Sequence, residues 1–84
     1  MRVIAVRDAN ETEINIYGYG EYVGNEPCPH MGGVPNPKIV LDNGDVVWGY
    51  ECWWGAAKKM EEKFGFKTGD REINTVKVER EAAE

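Results

Sequence analysis

A chain of 84 residues, 42% hydrophobic and 30% charged, is too apolar to be disordered and too short for two cores, so residues 1–84 read as one globular domain. Ten Lys and Arg against fifteen Asp and Glu leave a net charge of −5, which excludes the phosphate-neutralising surface that polymeric nucleic acid requires. No apolar run approaches the ~20 residues of a membrane helix. Met1–Arg7 is too short for a signal peptide, so no membrane partner and a cytoplasmic location are expected, with both cysteines unbridged.

Met1 to Arg7 reads as a strand on Val3, Ile4 and Val6, and Asp8-Ala9-Asn10 as a turn. Thr12 to Val23 reads as a long bent strand, in which Gly18 and Gly20 mark a bulge or a close backbone approach. Residues 24–37 hold all four prolines and read as a long loop. Lys38 to Tyr50 is a hairpin about Asn43-Gly44, the favoured pair for a two-residue type I′ turn. Ala56, Met60 and Phe64 then recur every four residues, an amphipathic helix of about ten residues closed by Gly65 at C′. Arg71 to Glu79 reads as a last strand, and residues 81–84 as a frayed tail. The order ββ-loop-ββ-α-β implies an α+β fold: a twisted, mostly antiparallel sheet of about five strands with one helix on a face.

Chemistry-bearing residues are few. Cys28, His30 and Cys52 offer three zinc ligands where a structural site needs four, so no metal is expected. Cys28 and His30, two apart across Pro29, seldom face each other as nucleophile and base, and no orienting third group stands out. Asp42 and Asp45 are most simply a solvated turn, Glu61 and Glu62 a solvated helix face. No catalytic residue is assigned and no cofactor is implied.

Nine aromatics remain, and four of them, Trp48, Tyr50, Trp53 and Trp54, fall within seven residues. On the returning strand of the hairpin Trp48 and Tyr50 share a face, because side chains repeat every second residue. One or two of these rings can anchor the core. A core this small does not easily enclose three indoles, which leaves at least one as a stacking platform or an oligomer contact. Residues 58–77 carry six cations to four acids in an otherwise acidic chain. Rings beside a few cations suit a flat, anionic small molecule such as a nucleotide. The candidate ligand-binding residues are therefore Trp48, Tyr50, Trp53 and Trp54 as surfaces, Lys38 and Arg71 as donors, and Asn36 as donor and acceptor.

The stretch from Asn36-Pro-Lys-Ile through Glu51-Cys-Trp-Trp-Gly55, with Gly18-Tyr-Gly-Glu-Tyr-Val-Gly24 before it, resembles small proteins encoded by phages of Gram-positive bacteria. Among them it is similar to the Thoeris anti-defence family, sponges that capture cyclic ADP-ribose messengers of bacterial immunity. The resemblance implies a non-enzymatic protein that holds a small cyclic nucleotide intact in the host cytoplasm. It also implies a homo-oligomer whose pockets lie partly at subunit contacts, and small size favours assembly on its own account. The rival reading is an acidic domain that inhibits a host or defence protein by direct contact. An enzyme acting through Cys28 or His30 ranks last.

Overall fold

The computed structural model describes residues 1–69 and 71–78. Six strands form one sheet: β1 (Arg2–Ala9), β2 (Glu13–Cys28), β3 (Val34–Leu41), β4 (Val46–Trp48), β5 (Trp53–Ala56) and β6 (Glu72–Thr75). A single helix, α1 (Ala57–Lys63), follows β5, and two 3-10 turns occupy Pro29–Met31 and Gly49–Glu51. The sheet runs β4-β3-β2-β1-β5 with every neighbour antiparallel, while β6 lies parallel to the start of β2. The architecture is α+β, as the pattern of the sequence implies.

β1 lies inside the sheet between β2 and β5, and Val3, Ile4, Ala5 and Val6 are fully buried because both faces of the sheet are covered. Val3 and Ala5 meet Ile39, Leu41 and Val47, with Tyr17, Tyr22, Cys52, Trp54 and Val78 packed around them. Ile4 and Val6 turn the other way, onto Ile14, Ile16 and Met60, under Tyr19, Phe64 and Phe66. The helix therefore covers one face. Cys52, on the crossing from β4 to β5, and Trp54 of β5 help cover the other. Five Cα steps from Trp48 to Trp53 reach at most ~18 Å. Four strand spacings in a flat sheet take ~19 Å. The sheet accordingly curls, bringing its two outer strands towards each other.

The glycines of β2 serve both purposes read from the sequence. Gly18, at φ +135°, sits where the β1–β2 register slips, and Tyr17 is the extra residue. Gly20 lies so close to β3 that a Cβ on it would stand 2.5 Å from the Val40 carbonyl oxygen and 2.9 Å from Leu41 Cα.

Several expectations are corrected. Asp8 and Ala9 belong to β1, and the turn is held by the Asn10 side chain, whose Oδ1 accepts from the Thr12 and Glu13 N–H groups at 2.8 and 2.9 Å. Residues 24–37 are not a loop: β2 continues to Cys28 and β3 begins at Val34. Pro27 lies directly opposite Pro35, so two missing donors share one rung, and Pro29 opens a 3-10 turn where its donor is not needed. The β3–β4 connection is not a type I′ turn, because no residue other than glycine has positive φ. Gly44 N–H donates to the Leu41 carbonyl at 2.9 Å and Leu41 N–H to the Asp45 carbonyl at 2.8 Å, a three-residue connection with Gly44 at φ +92°.

β4 stops at Trp48, so Tyr50 lies in a 3-10 turn and does not share a strand face with Trp48. Trp53 to Ala56 form a strand that the sequence pattern did not announce, and they shorten the helix to seven residues. Its end is as read: Gly65 has φ +68°, Phe66 N–H donates to Glu61 and Gly65 N–H to Glu62, a Schellman closure. β6 spans Glu72–Thr75, shorter than Arg71–Glu79, and pairs in parallel. Glu79 and the tail 81–84 lie outside the described residues.

Candidate ligand cleft at the β5 edge

β5 ends the sheet, with β1 on one side and no strand on the other among the described residues. Side chains alternate along it. Trp53 pairs with Val6 and so lies on the helix side; Trp54 pairs with Ala5 on the opposite side. A cleft of about 510 Å³ opens here, lined by Gly49, Cys52, Trp53, Trp54, Met60, Lys63 and Phe64. That volume falls within the ~300–1,000 Å³ range of small-molecule sites. A smaller cleft of about 240 Å³ adjoins it, lined by Arg7, Tyr50, Glu51, Cys52 and Trp53, so the Trp53 side chain borders both.

The three tryptophans have separate roles. Trp48 is 6% exposed and belongs to the interior. Trp54 is half-buried and stacks on Tyr22, ring centroids 5.1 Å apart and planes 23° from parallel. Trp53 is 62% exposed, the most exposed large apolar residue of the chain as described. The structure thus places Trp53 and Trp54 together in one cleft, and Tyr50 with Trp53 in the next.

The proposed donors lie elsewhere. Lys38 is half-buried and ion-paired with Glu26 at 3.4 Å. Asn36 accepts from Tyr50 N–H at 3.1 Å, and its amide approaches the Met31 sulfur at 3.4 Å, so it braces the Gly49–Glu51 turn against β3. Arg71 lines a third cleft, of about 380 Å³, with Glu11, Glu62, Thr68 and the far flank of Lys63 and Phe64. The cation that lines the main cleft is Lys63, whose Nζ stands 5.7 Å from the Phe64 ring centroid. The sequence counts Lys63 among the six cations of residues 58–77 but does not single it out as a ligand residue. Its signal was its place beside Phe64, the last residue of the apolar stripe.

The thiols bear on reactivity. Burial first, and the neighbouring Glu51 charge second, push the Cys52 thiol up to about 12, so it stays protonated at neutral pH. Its Sγ lies 3.6 Å from the Trp48 carbonyl oxygen. Cys28 is fully buried at the end of β2. A thiol is nucleophilic as thiolate, and the surroundings of Cys52 disfavour one. Among the described residues no group of three or more His, Cys, Asp and Glu could hold a metal ion, and no helix is long and apolar enough to cross a membrane. Comparison with protein-family models, with curated proteins and with solved structures finds no match.

Proposed function

We propose that this chain sequesters a small cyclic nucleotide without cleaving it, the activity implied by its resemblance to the Thoeris anti-defence sponges of phages, acting in the host cytoplasm as a homo-oligomer. The observation that supports it is the Trp53 indole, 62% exposed at the mouth of a cleft of about 510 Å³ that also holds Lys63. A purine stacks on an exposed indole, and an ammonium beside it attracts the phosphate charge. The Cys52 thiol that lines this cleft is held protonated at neutral pH, which supports binding without cleavage.

Calorimetry against cyclic nucleotides, cyclic ADP-ribose isomers among them, tests the reading, with recovery of intact ligand after denaturation. Trp53→Ala is expected to weaken binding by roughly ten- to a hundredfold, the ~1–3 kcal/mol of one stacked base, with an unchanged melting temperature. Lys63→Ala weakens it as well. Trp48→Ala instead costs ~3–5 kcal/mol of stability. Degraded ligand, or unchanged affinity in Trp53→Ala, defeats the proposal. A second reading, inhibition of a host or defence protein by direct contact, draws on Val23 and Val34, 50% and 53% exposed on the β2–β3 arm. Silence across the nucleotide panel would favour it.

A further inference from the structure

Asn43-Gly44 has a chemistry of its own, beyond closing the β3–β4 connection. The chain has six asparagines and no glutamine. Asn36 precedes Pro37, which has no N–H. Asn10, Asn15, Asn25 and Asn74 precede residues whose side chains crowd the backbone nitrogen. Asn43 precedes a glycine, and both residues are exposed. A Cβ on Gly44 would meet nothing within 4 Å, so the flank of its nitrogen is open.

We propose that the folded protein modifies itself at Asn43, passing through a succinimide to aspartate and isoaspartate. The Gly44 backbone nitrogen attacks Asn43 Cγ and gives up its proton, the Cγ–Nδ2 bond breaks, and the side-chain nitrogen leaves as ammonia. Water then opens the cyclic imide. Hydrolysis at Cγ yields aspartate, and hydrolysis at the Asn43 main-chain carbonyl yields isoaspartate.

The turn prepares the first step. Negative charge develops on Asn43 Oδ1 as the nitrogen adds, and that oxygen already accepts the Asp45 N–H at 2.9 Å, a donor placed where an oxyanion forms. The leaving nitrogen, Nδ2, donates to Asp45 Oδ2 at 3.2 Å. One bond opposes the attack: Gly44 N–H donates to the Leu41 carbonyl at 2.9 Å. It lies in an exposed three-residue connection, where local opening costs little.

The product disturbs the fold. Isoaspartate routes the main chain through an extra methylene, lengthening a connection that the bond from Leu41 N–H to the Asp45 carbonyl closes at 2.8 Å. A hydrogen bond to Asp45 becomes two facing carboxylates beside Asp42, and the net charge goes from −5 to −6. β4 is three residues long, pairs only with β3 among the described residues, and carries the buried Val47 and Trp48. Loosening it lowers stability.

Ageing the native protein beside the same chain unfolded in urea, in neutral and mildly alkaline buffer, tests the proposal. Intact mass follows the exchange of amide NH₂ for OH, and peptide mapping with isoaspartyl methyltransferase labelling places it. The native protein is expected to convert at Asn43 before any other asparagine, with isoaspartate among the products and a rate that rises with pH, because the attacking nitrogen must lose its proton. The isoaspartyl form should melt below both fresh protein and Asn43→Asp, which adds the charge without the methylene. Conversion in urea but not in the native protein would mean that the Leu41 carbonyl keeps the nitrogen out of reach, and would overturn the proposal. So would conversion in neither state, or first reaction at another asparagine. An isoaspartyl form that melts with Asn43→Asp would overturn the loosening of β4. The ligand reading stands or falls separately, on calorimetry.

Discussion

Gly20→Ala is the sharpest test of the sheet. The new methyl would lie 2.5 Å from the Val40 carbonyl oxygen, 2.9 Å from Leu41 Cα and 3.0 Å from the Val40 carbonyl carbon. Ordinary contact begins near ~3.5 Å, so β3 must retreat by the better part of an ångström. The atoms in the way are backbone, fixed by the β3 ladder to β2 on one side and β4 on the other. Overpacking of this kind costs ~1–3 kcal/mol, and the stretched ladder bonds add ~1 kcal/mol. A total of about 3 kcal/mol lowers the melting temperature by roughly 12–24 °C in a domain of this size.

Gly55→Ala is the control. Neither glycine has positive φ, and the nearest neighbour of the added methyl is the end of the flexible Met60 side chain at 3.2 Å, which can move aside. Its cost should stay below ~1 kcal/mol. Urea unfolding of both variants reads the difference. If the two midpoints agree within error, β2 and β3 do not approach as described.

Gly44→Val should cost ~1 kcal/mol or more, since a β-branched residue resists the φ of +92° that closes the β3–β4 connection; urea midpoints check it. The Tyr19 hydroxyl donates to Glu61 Oε2 at 2.6 Å, tying β2 to α1, and burial together with that bond raises its pKa from 10.0 to about 12. A raised folded value means that this stabilisation is complete below pH 10 and fades as pH climbs towards 12. Tyr19→Phe should therefore lose ~1–2 kcal/mol at neutral pH and show a flatter alkaline decline; an unchanged decline refutes the assignment. Alkylation of Cys52 should be slow in the native protein at neutral pH and accelerate on unfolding, whereas fast native alkylation would contradict its protonated state.

What was legible in the sequence was local. Val3 to Val6 announced a buried strand, Asn43-Gly44 a hairpin, and Phe64-Gly65 a helix end, because each signal lies within a few residues of its effect. The prolines of 24–37 misled, since Pro27 and Pro35 are tolerable in a strand once they face each other, a fact about pairing that composition does not carry. β5 was hidden by the turn at Gly49–Glu51, which interrupts the period-two pattern after Trp48. The parallel partnership of β6 with β2 joins Glu13 to Glu72 across the whole chain, beyond any periodicity. Lys38 and Arg71 were chosen as cations at strand margins, yet side-chain partners and cleft membership are set by the curl of the sheet.

β2 runs for sixteen residues and is shared by β1, β3 and β6. Gaining or losing one residue within it would turn the downstream side chains to the wrong face for several neighbours at once. Length variation during evolution or engineering is thereby channelled to the Pro29–Gly33 tip and the Asp42–Gly44 connection, where no rung of β2 is displaced. The strand that organises the sheet is the part of the chain least free to change its length, even where its individual side chains face solvent and can be exchanged.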